Sequence, residues 1–121
     1  MRILLDTHVF LWWVRNDPRL DASSRSLIAD FDNEIFVSVA SAWEIEIKAA
    51  IDKLKIDPNW KRLVDVNGFK WLPIFPHHTE GLRLLPPIHR DPFDRMLVAQ
   101  SRCEQMALLS FDPKLKAYIE Q

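Results

Sequence analysis

Four acidic positions carry the chemistry this sequence could do. Asp6 follows the apolar run RILL, Glu44 lies in SVASAWEIEIKAA, Asp94 lies in HRDPFDRMLVAQ, and Asp112 follows ALLSF. Carboxylates gathered in one place repel one another unless cations sit between them. Their hard oxygen donors suit Mg²⁺, with Mn²⁺ able to substitute. Divalent ions held this way clamp the attacking and leaving oxygens of a phosphodiester and supply hydroxide near neutral pH. Phosphodiester hydrolysis is therefore the reaction such a set would support, provided the fold brings the four together.

Each acid also has a purely structural reading. Asp6 stands where an N-cap would precede a helix beginning at Thr7. Asp112 precedes Pro113, and Asp-Pro opens helices because Asp caps while Pro fills the first turn. The pair recurs at Asp17, Asp57, Asp91 and Asp112, so alone it is punctuation, and at Asp17 and Asp57 it is read only so. Asp94 lies one turn inside the helix opened by Asp91-Pro92, where the helix dipole favours an acid. Glu44 shares a polar stripe with Ser41 and Lys48, whose plain reading is a solvated face with a Glu44–Lys48 pair. Arg95 lies four residues after Asp91 and reads most simply as its partner.

The elements decide between these readings. Short apolar runs at 2–5, 34–38, 69–75 and 107–111 predict buried parallel strands. A fifth run, MLVA at 96–99, belongs to a longer helical pattern. Helical patterns cover 7–15, 22–31, 39–53, 58–66, 77–84, 92–106 and 113–119. The order β-α-α-β-α-α-β-α-α-β-α predicts an α/β chain, a three-layer α/β/α sandwich around a mostly parallel sheet. Ligands bind beyond the carboxyl ends of the strands in such sheets. Asp6 and Asp112 directly follow strands, and the helix of Glu44 begins where another strand ends. The helix of Asp94 feeds the strand at 107, so it starts near the same edge. Topology alone thus predicts convergence.

Composition narrows the classes. The 121 residues suit one domain spanning 1–121, and 48% hydrophobic with 27% charged residues indicates a packed core. A net charge of −1 supplies no strongly basic field, so nucleic-acid contact would need a local basic patch or metal ions. The lone Cys103 can form no internal disulfide, which points to a reducing compartment, here the cytoplasm. The chain holds no apolar run long enough for a transmembrane helix, so no membrane partner is expected. The start MRILLDTHVFLWWVRND has Asp6 and His8 inside its apolar stretch and no small-residue cleavage site, and reads as mature structure. Two glycines, Gly68 and Gly81, exclude a P-loop and a G-x-G-x-x-G turn.

The segments ILLDTHVFLWW, SVASAWEIEIKAAIDKLKI, HRDPFDRMLVAQS and LLSFDPKL resemble, in order, the four motifs of PIN-domain ribonucleases. They are most similar to the VapC-type toxins of bacterial and archaeal toxin–antitoxin pairs, and the resemblance spans nearly the whole chain. It implies a small PIN-like α/β/α sandwich and Mg²⁺-dependent endonucleolytic cleavage of RNA. It also implies a homodimer and a cognate antitoxin protein. By motif position, Asp6, Glu44, Asp94 and Asp112 match the four catalytic, metal-holding acids. Asp91 belongs to a DPFDR variant, leaving two aspartates three apart as candidates for one ligand position; helix geometry favours Asp94. On this reading Asp6 and Asp94 hold the principal Mg²⁺, and Glu44 and Asp112 complete the site directly or through water. Attack by water leaves a 3′-hydroxyl and a 5′-phosphate. Ser110 matches the Ser or Thr often found two residues before the last acid. Lys48, Arg90, Arg95 and Ser110 are candidates for contacts with RNA phosphates.

Two other classes compete. A receiver or haloacid-dehalogenase-like phosphotransfer domain would place a second Asp after the first strand, where this chain has His8. A non-catalytic interaction module would have no need to place four acids together. His77-His78 has no partner spacing for zinc and reads as the start of a surface helix, and His89 reads as a loop residue. Cys103 shares helical spacing with Met96, Ala99 and Met106, which predicts a buried thiol. Of Trp12, Trp13, Trp43, Trp60 and Trp71, most are expected in the core. Phe10, Trp13 and Ile51 or Leu54 are candidates for an exposed patch receiving an antitoxin helix.

Overall fold

Four apolar strands pair in parallel, in the order β3-β2-β1-β4. They are β1 (Arg2–Leu5), β2 (Glu34–Ser38), β3 (Lys70–Leu72) and β4 (Ala107–Leu109). In the computed structural model, residues 1–119 are described; Glu120 and Gln121, the end of the expected span 1–121, lie outside the described residues. Side chains alternate across a strand, and that alternation divides the core. Ile3, Leu5, Ile35 and Val37 pack on one face with Phe10 and Trp60. Leu4 and Phe36 pack on the other with Leu97, Leu108, Leu115 and Tyr118. A sheet apolar on both faces needs a helical layer on each, and the result is the expected three-layer α/β/α sandwich.

The helices are α1 (Thr7–Val14), α2 (Ala22–Ala29), α3 (Val39–Ala50), α4 (Arg62–Val66), α5 (Pro76–Gly81), α6 (Pro92–Glu104) and α7 (Pro113–Ile119). A 3₁₀ turn, Leu82–Leu84, follows α5. Several expected bounds shrink for local reasons. The run 69–75 keeps only Lys70–Leu72 as strand, because Pro73 has no N–H for the ladder. The pattern 58–66 yields helix only at Arg62–Val66. Helix α6 stops where Gln105 turns left-handed, at φ 54°. Among the described residues no helix is long and apolar enough to cross a membrane.

Three expectations about burial are corrected. On α3 the polar stripe is not solvated: Ser41 and Glu44 are buried, while Val39, Trp43 and Ile47 are exposed, Trp43 at 59%, as is the patch candidate Ile51 that caps the helix. The reason is the site: the polar face of α3 is the one turned toward the sheet edge. Phe10, a candidate for a surface patch, is fully buried. Cys103 is exposed, not buried. It lies where α5 crosses α6 so closely that a Cβ on Gly81 would stand 3.2 Å from its sulfur.

Arg95 does not pair with Asp91. Its guanidinium donates to the carbonyls of Leu82, Pro86 and His89, and to the Tyr118 hydroxyl at 2.9 Å. Tyr118 Oη in turn accepts from the Ile88 and His89 N–H groups and donates to Pro86 O. Arg95 and Tyr118 together pin the loop leading into α6. Bonded to these groups, Arg95 serves as a brace for this loop in place of the Asp91 pair.

Candidate metal centre

The chain lays down β1, adds β2 and β3 on one side, then returns to place β4 on the other. The connections diverge between β1 and β4, and a crevice opens at the carboxyl ends of strands at such a switch point. Asp6 leaves β1 there, with its N–H bonded to Leu109 O of β4 at 3.1 Å. Asp112 follows β4, and α3 begins directly at the end of β2. A hydroxyl bond from Thr7 to Ser41, 2.9 Å long, ties the start of α1 to α3.

Asp6 is a helix cap that also faces a second acid through Ser110. Its Oδ1 accepts from Val9 N–H at 2.7 Å, capping α1. Its Oδ2 accepts from the buried Ser110 hydroxyl, which also receives the Asp112 N–H. Ser110, two residues before the last acid, couples the first acid to the fourth. Burial pushes the Asp6 carboxyl above its usual range, and the charge of Asp112 adds to this; the bonds from Ser110 and Val9 and the nearby His8 oppose it.

Asp91 and Asp94 separate cleanly. Asp91 Oδ1 accepts from Asp94 N–H at 3.0 Å and caps α6. Asp94, one turn in, points its carboxylate at His89 Nε2, 2.7 Å away. Burial raises Asp94 to about 6; the His89 hydrogen bond opposes this, and the charges of Asp91 and Glu44 add to it. Ligand atoms of His89, Asp94 and Asp112 lie within 4.8 Å of one another.

Glu44 completes the cluster. It is only 3% exposed, so the solvated-face reading fails although its ion pair with Lys48, at 2.6 Å, is present. Its Oε1 is buried without a hydrogen-bond partner. An anionic oxygen left so costs folding free energy unless a cation meets it. The four acids therefore come from four different elements to one edge of the sheet, linked Asp6 to Asp112, Asp112 to Asp94, and Asp94 to Glu44. Their hard oxygen donors and the orphaned Glu44 Oε1 fit a divalent cation.

Beside Asp6 and Asp112 a cavity of about 290 Å³ is lined by His8, Trp12, Arg19 and Phe111. Arg19 lies over the Trp12 ring, 5.1 Å from its centroid. Arg90 is exposed next to His89. His89, read from sequence only as a loop residue, lies just before the start of α6; the Trp12–Arg19 wall, with Trp12 inside α1, carried no positional signal.

The sequence from residue 3 to 120 matches the PIN domain family. The chain belongs to that family. A crystal structure of VapBC2 from Rickettsia felis bound to a DNA fragment from their promoter is similar in fold, with a TM-score of 0.68 at 17% identity. The match covers 98% of this chain and 93% of that one. No curated protein matches the sequence significantly.

A second histidine cluster in this PIN domain has different chemistry. His77 and His78 Nε2 lie 3.1 and 3.0 Å from Glu104 Oε2. His77 and His78 do open the mostly exposed helix α5, but the His78 side chain itself turns inward and is fully buried. Its Nδ1 accepts the Phe75 N–H at 3.0 Å. Nε2 must then carry the proton in the neutral ring, and it donates to Glu104. That tautomer leaves no lone pair at Nε2 for a metal, and the cluster is a brace between α5 and α6.

Proposed function

We propose that this PIN domain is a divalent-metal-dependent ribonuclease, the toxin of a VapC-type toxin–antitoxin pair acting in the cytoplasm. The observation that carries the reading is the gathering of four carboxylates at one sheet edge, Asp6 and Glu44 buried and Asp94 and Asp112 half-buried, with Glu44 Oε1 unpartnered. Asp6, Glu44, Asp94 and Asp112 would hold Mg²⁺, with Mn²⁺ able to replace it. Bound there, the ion would supply Lewis-acid stabilisation of a phosphodiester and lower the pKa of water. The chain's own residues do the rest. Ser110 orients Asp6, and Asp91 fixes the start of α6. Lys48, 41% exposed at its side chain, offsets Glu44 and leaves its ammonium within reach of a phosphate. Arg90 offers a further cation, and beside the acids Arg19, ion-paired with Asp17, lies over the Trp12 ring. A net charge of −1 makes these local groups necessary. Hydrolysis of an internal RNA linkage would leave a 3′-hydroxyl and a 5′-phosphate.

The test is incubation of purified protein with RNA and Mg²⁺, with the new ends mapped. The expected result is 5′-phosphorylated fragments that vanish with chelator and with Asp6→Asn. Equal cleavage by the variant, or in chelator, would reject the reading.

A further inference from the structure

We propose that His89 is a nitrogen ligand of this centre, and that it makes the site prefer Mn²⁺ to Mg²⁺. The inference rests on the metal-centre reading above and adds a fifth residue to it.

Three observations carry it. The first is proximity: His89 Nε2 is 2.7 Å from Asp94 Oδ2, and with Asp112 these ligand atoms fall within 4.8 Å of one another. First-row cations bind imidazole nitrogen and carboxylate oxygen at about 2.0–2.2 Å, so modest side-chain shifts would bring all three onto one ion. The second is preorganisation. The His89 N–H donates to Tyr118 Oη at 3.0 Å and its carbonyl accepts from Arg95 at 3.2 Å. The backbone is therefore held on both sides, and the imidazole, 12% exposed, is not a free loop side chain. The third is the tautomer. His78 Nδ1 is occupied by a backbone N–H, which bars Nε2 from a metal. Among the described residues no such donor occupies His89 Nδ1, so the ring proton can reside there and leave the Nε2 lone pair for a cation. The proton moves from Nε2 to Nδ1 through solvent, the ring stays neutral, and Asp94 exchanges a hydrogen bond for a shared ion.

Glu44, whose charge acts on Asp94, has its Oε1 buried and unpartnered. The donor set is then carboxylate oxygen plus one imidazole. Carboxylate, carbonyl and water suit both Mg²⁺ and Mn²⁺, but Mn²⁺, a first-row transition ion at the weak end of the divalent affinity order, also accepts an imidazole nitrogen that Mg²⁺ leaves aside. Mg²⁺ would use the acids alone, and Mn²⁺ would gain the nitrogen.

Calorimetric titration of MnCl₂ and MgCl₂ into wild-type protein, His89→Gln and His89→Ala tests this. Gln keeps an N–H donor for Asp94 but has no imidazole. A ligand role predicts that both variants lose Mn²⁺ affinity, on the order of tenfold or more, with Mg²⁺ affinity unchanged. Equal loss for both metals in His89→Ala with none in His89→Gln would show that His89 only holds Asp94, and would overturn the proposal. Unchanged Mn²⁺ affinity in both variants would overturn it too. Spin-echo spectroscopy of Mn²⁺ on the wild-type protein needs no variant: imidazole ¹⁴N modulation is expected, and its absence refutes the ligand. Failure of the underlying reading looks different, since the wild-type protein would then bind neither ion.

Discussion

Asp94 sits where burial and two neighbouring carboxylates oppose its ionisation, and that has a measurable cost. Its carboxyl is raised from 3.8 to about 6 in the metal-free protein. Between those values the native state binds more protons than the unfolded chain, so stability falls as pH rises through this window. The loss across the window is on the order of 3 kcal/mol. Asp6, raised in the same direction, adds to it. We expect denaturant titrations of metal-free protein to show stability declining from about pH 4 to pH 6, and Asp94→Asn to flatten that slope and stabilise the protein at neutral pH. A pH-independent midpoint in the wild type would contradict the assignment. The same linkage makes Mn²⁺ binding weaken below about pH 6, where the ion must displace a proton from Asp94. At this scale the acids were legible because carboxylates after strands have a topological meaning. Ser110, Arg95 and His89 were not: each acts through a partner distant in sequence or through the backbone of a loop, which no spacing rule encodes.

The elements show where periodicity informs and where it misleads. Strands were legible as apolar runs because both faces of the sheet are covered, and Asp-Pro marked helix starts correctly at Asp91 and Asp112. On α3 the helical pattern over 39–53 was right for a helix but silent about which face lies inward. Here burial followed the acid and serine, since the site needs them at the sheet edge, and the apolar stripe was left outside. The two aspartates opening α6 divide the work by position: Asp91 caps and Asp94 faces the crevice. Asp91→Ala should therefore cost about 1 kcal/mol of stability with Mn²⁺ affinity little changed, as read by thermal unfolding and calorimetry. If Asp91→Ala abolished metal binding in a folded protein while Asp94→Asn did not, the assignment would be reversed.

For the whole molecule, the strand order matters most, because placing β4 on the far side of β1 creates the crevice. The order of elements could be read from sequence, but the pairing of β4 with β1 is set by packing of α6 and α7 against Leu4 and Leu108 on the second face. The exposed stripe of α3 is the matching feature of the outer surface. Val39, Trp43, Ile47 and Ile51 recur every fourth residue, so two copies packed antiparallel about a twofold axis would set Trp43 against Ile47 and Val39 against Ile51. We propose that the chain pairs with a second copy through this face; Trp43→Glu should shift the mass measured by light scattering from dimer to monomer, and a monomeric wild-type protein would contradict it. That Asp6, Glu44, Asp94 and Asp112 form one cation site is tested most directly by calorimetric titration of Mn²⁺ into wild-type protein and Asp6→Asn. Asn retains the helix cap, so the variant stays folded. Saturable binding is expected in the wild type, with its loss or severe weakening in Asp6→Asn; identical isotherms for the two proteins would contradict a shared site.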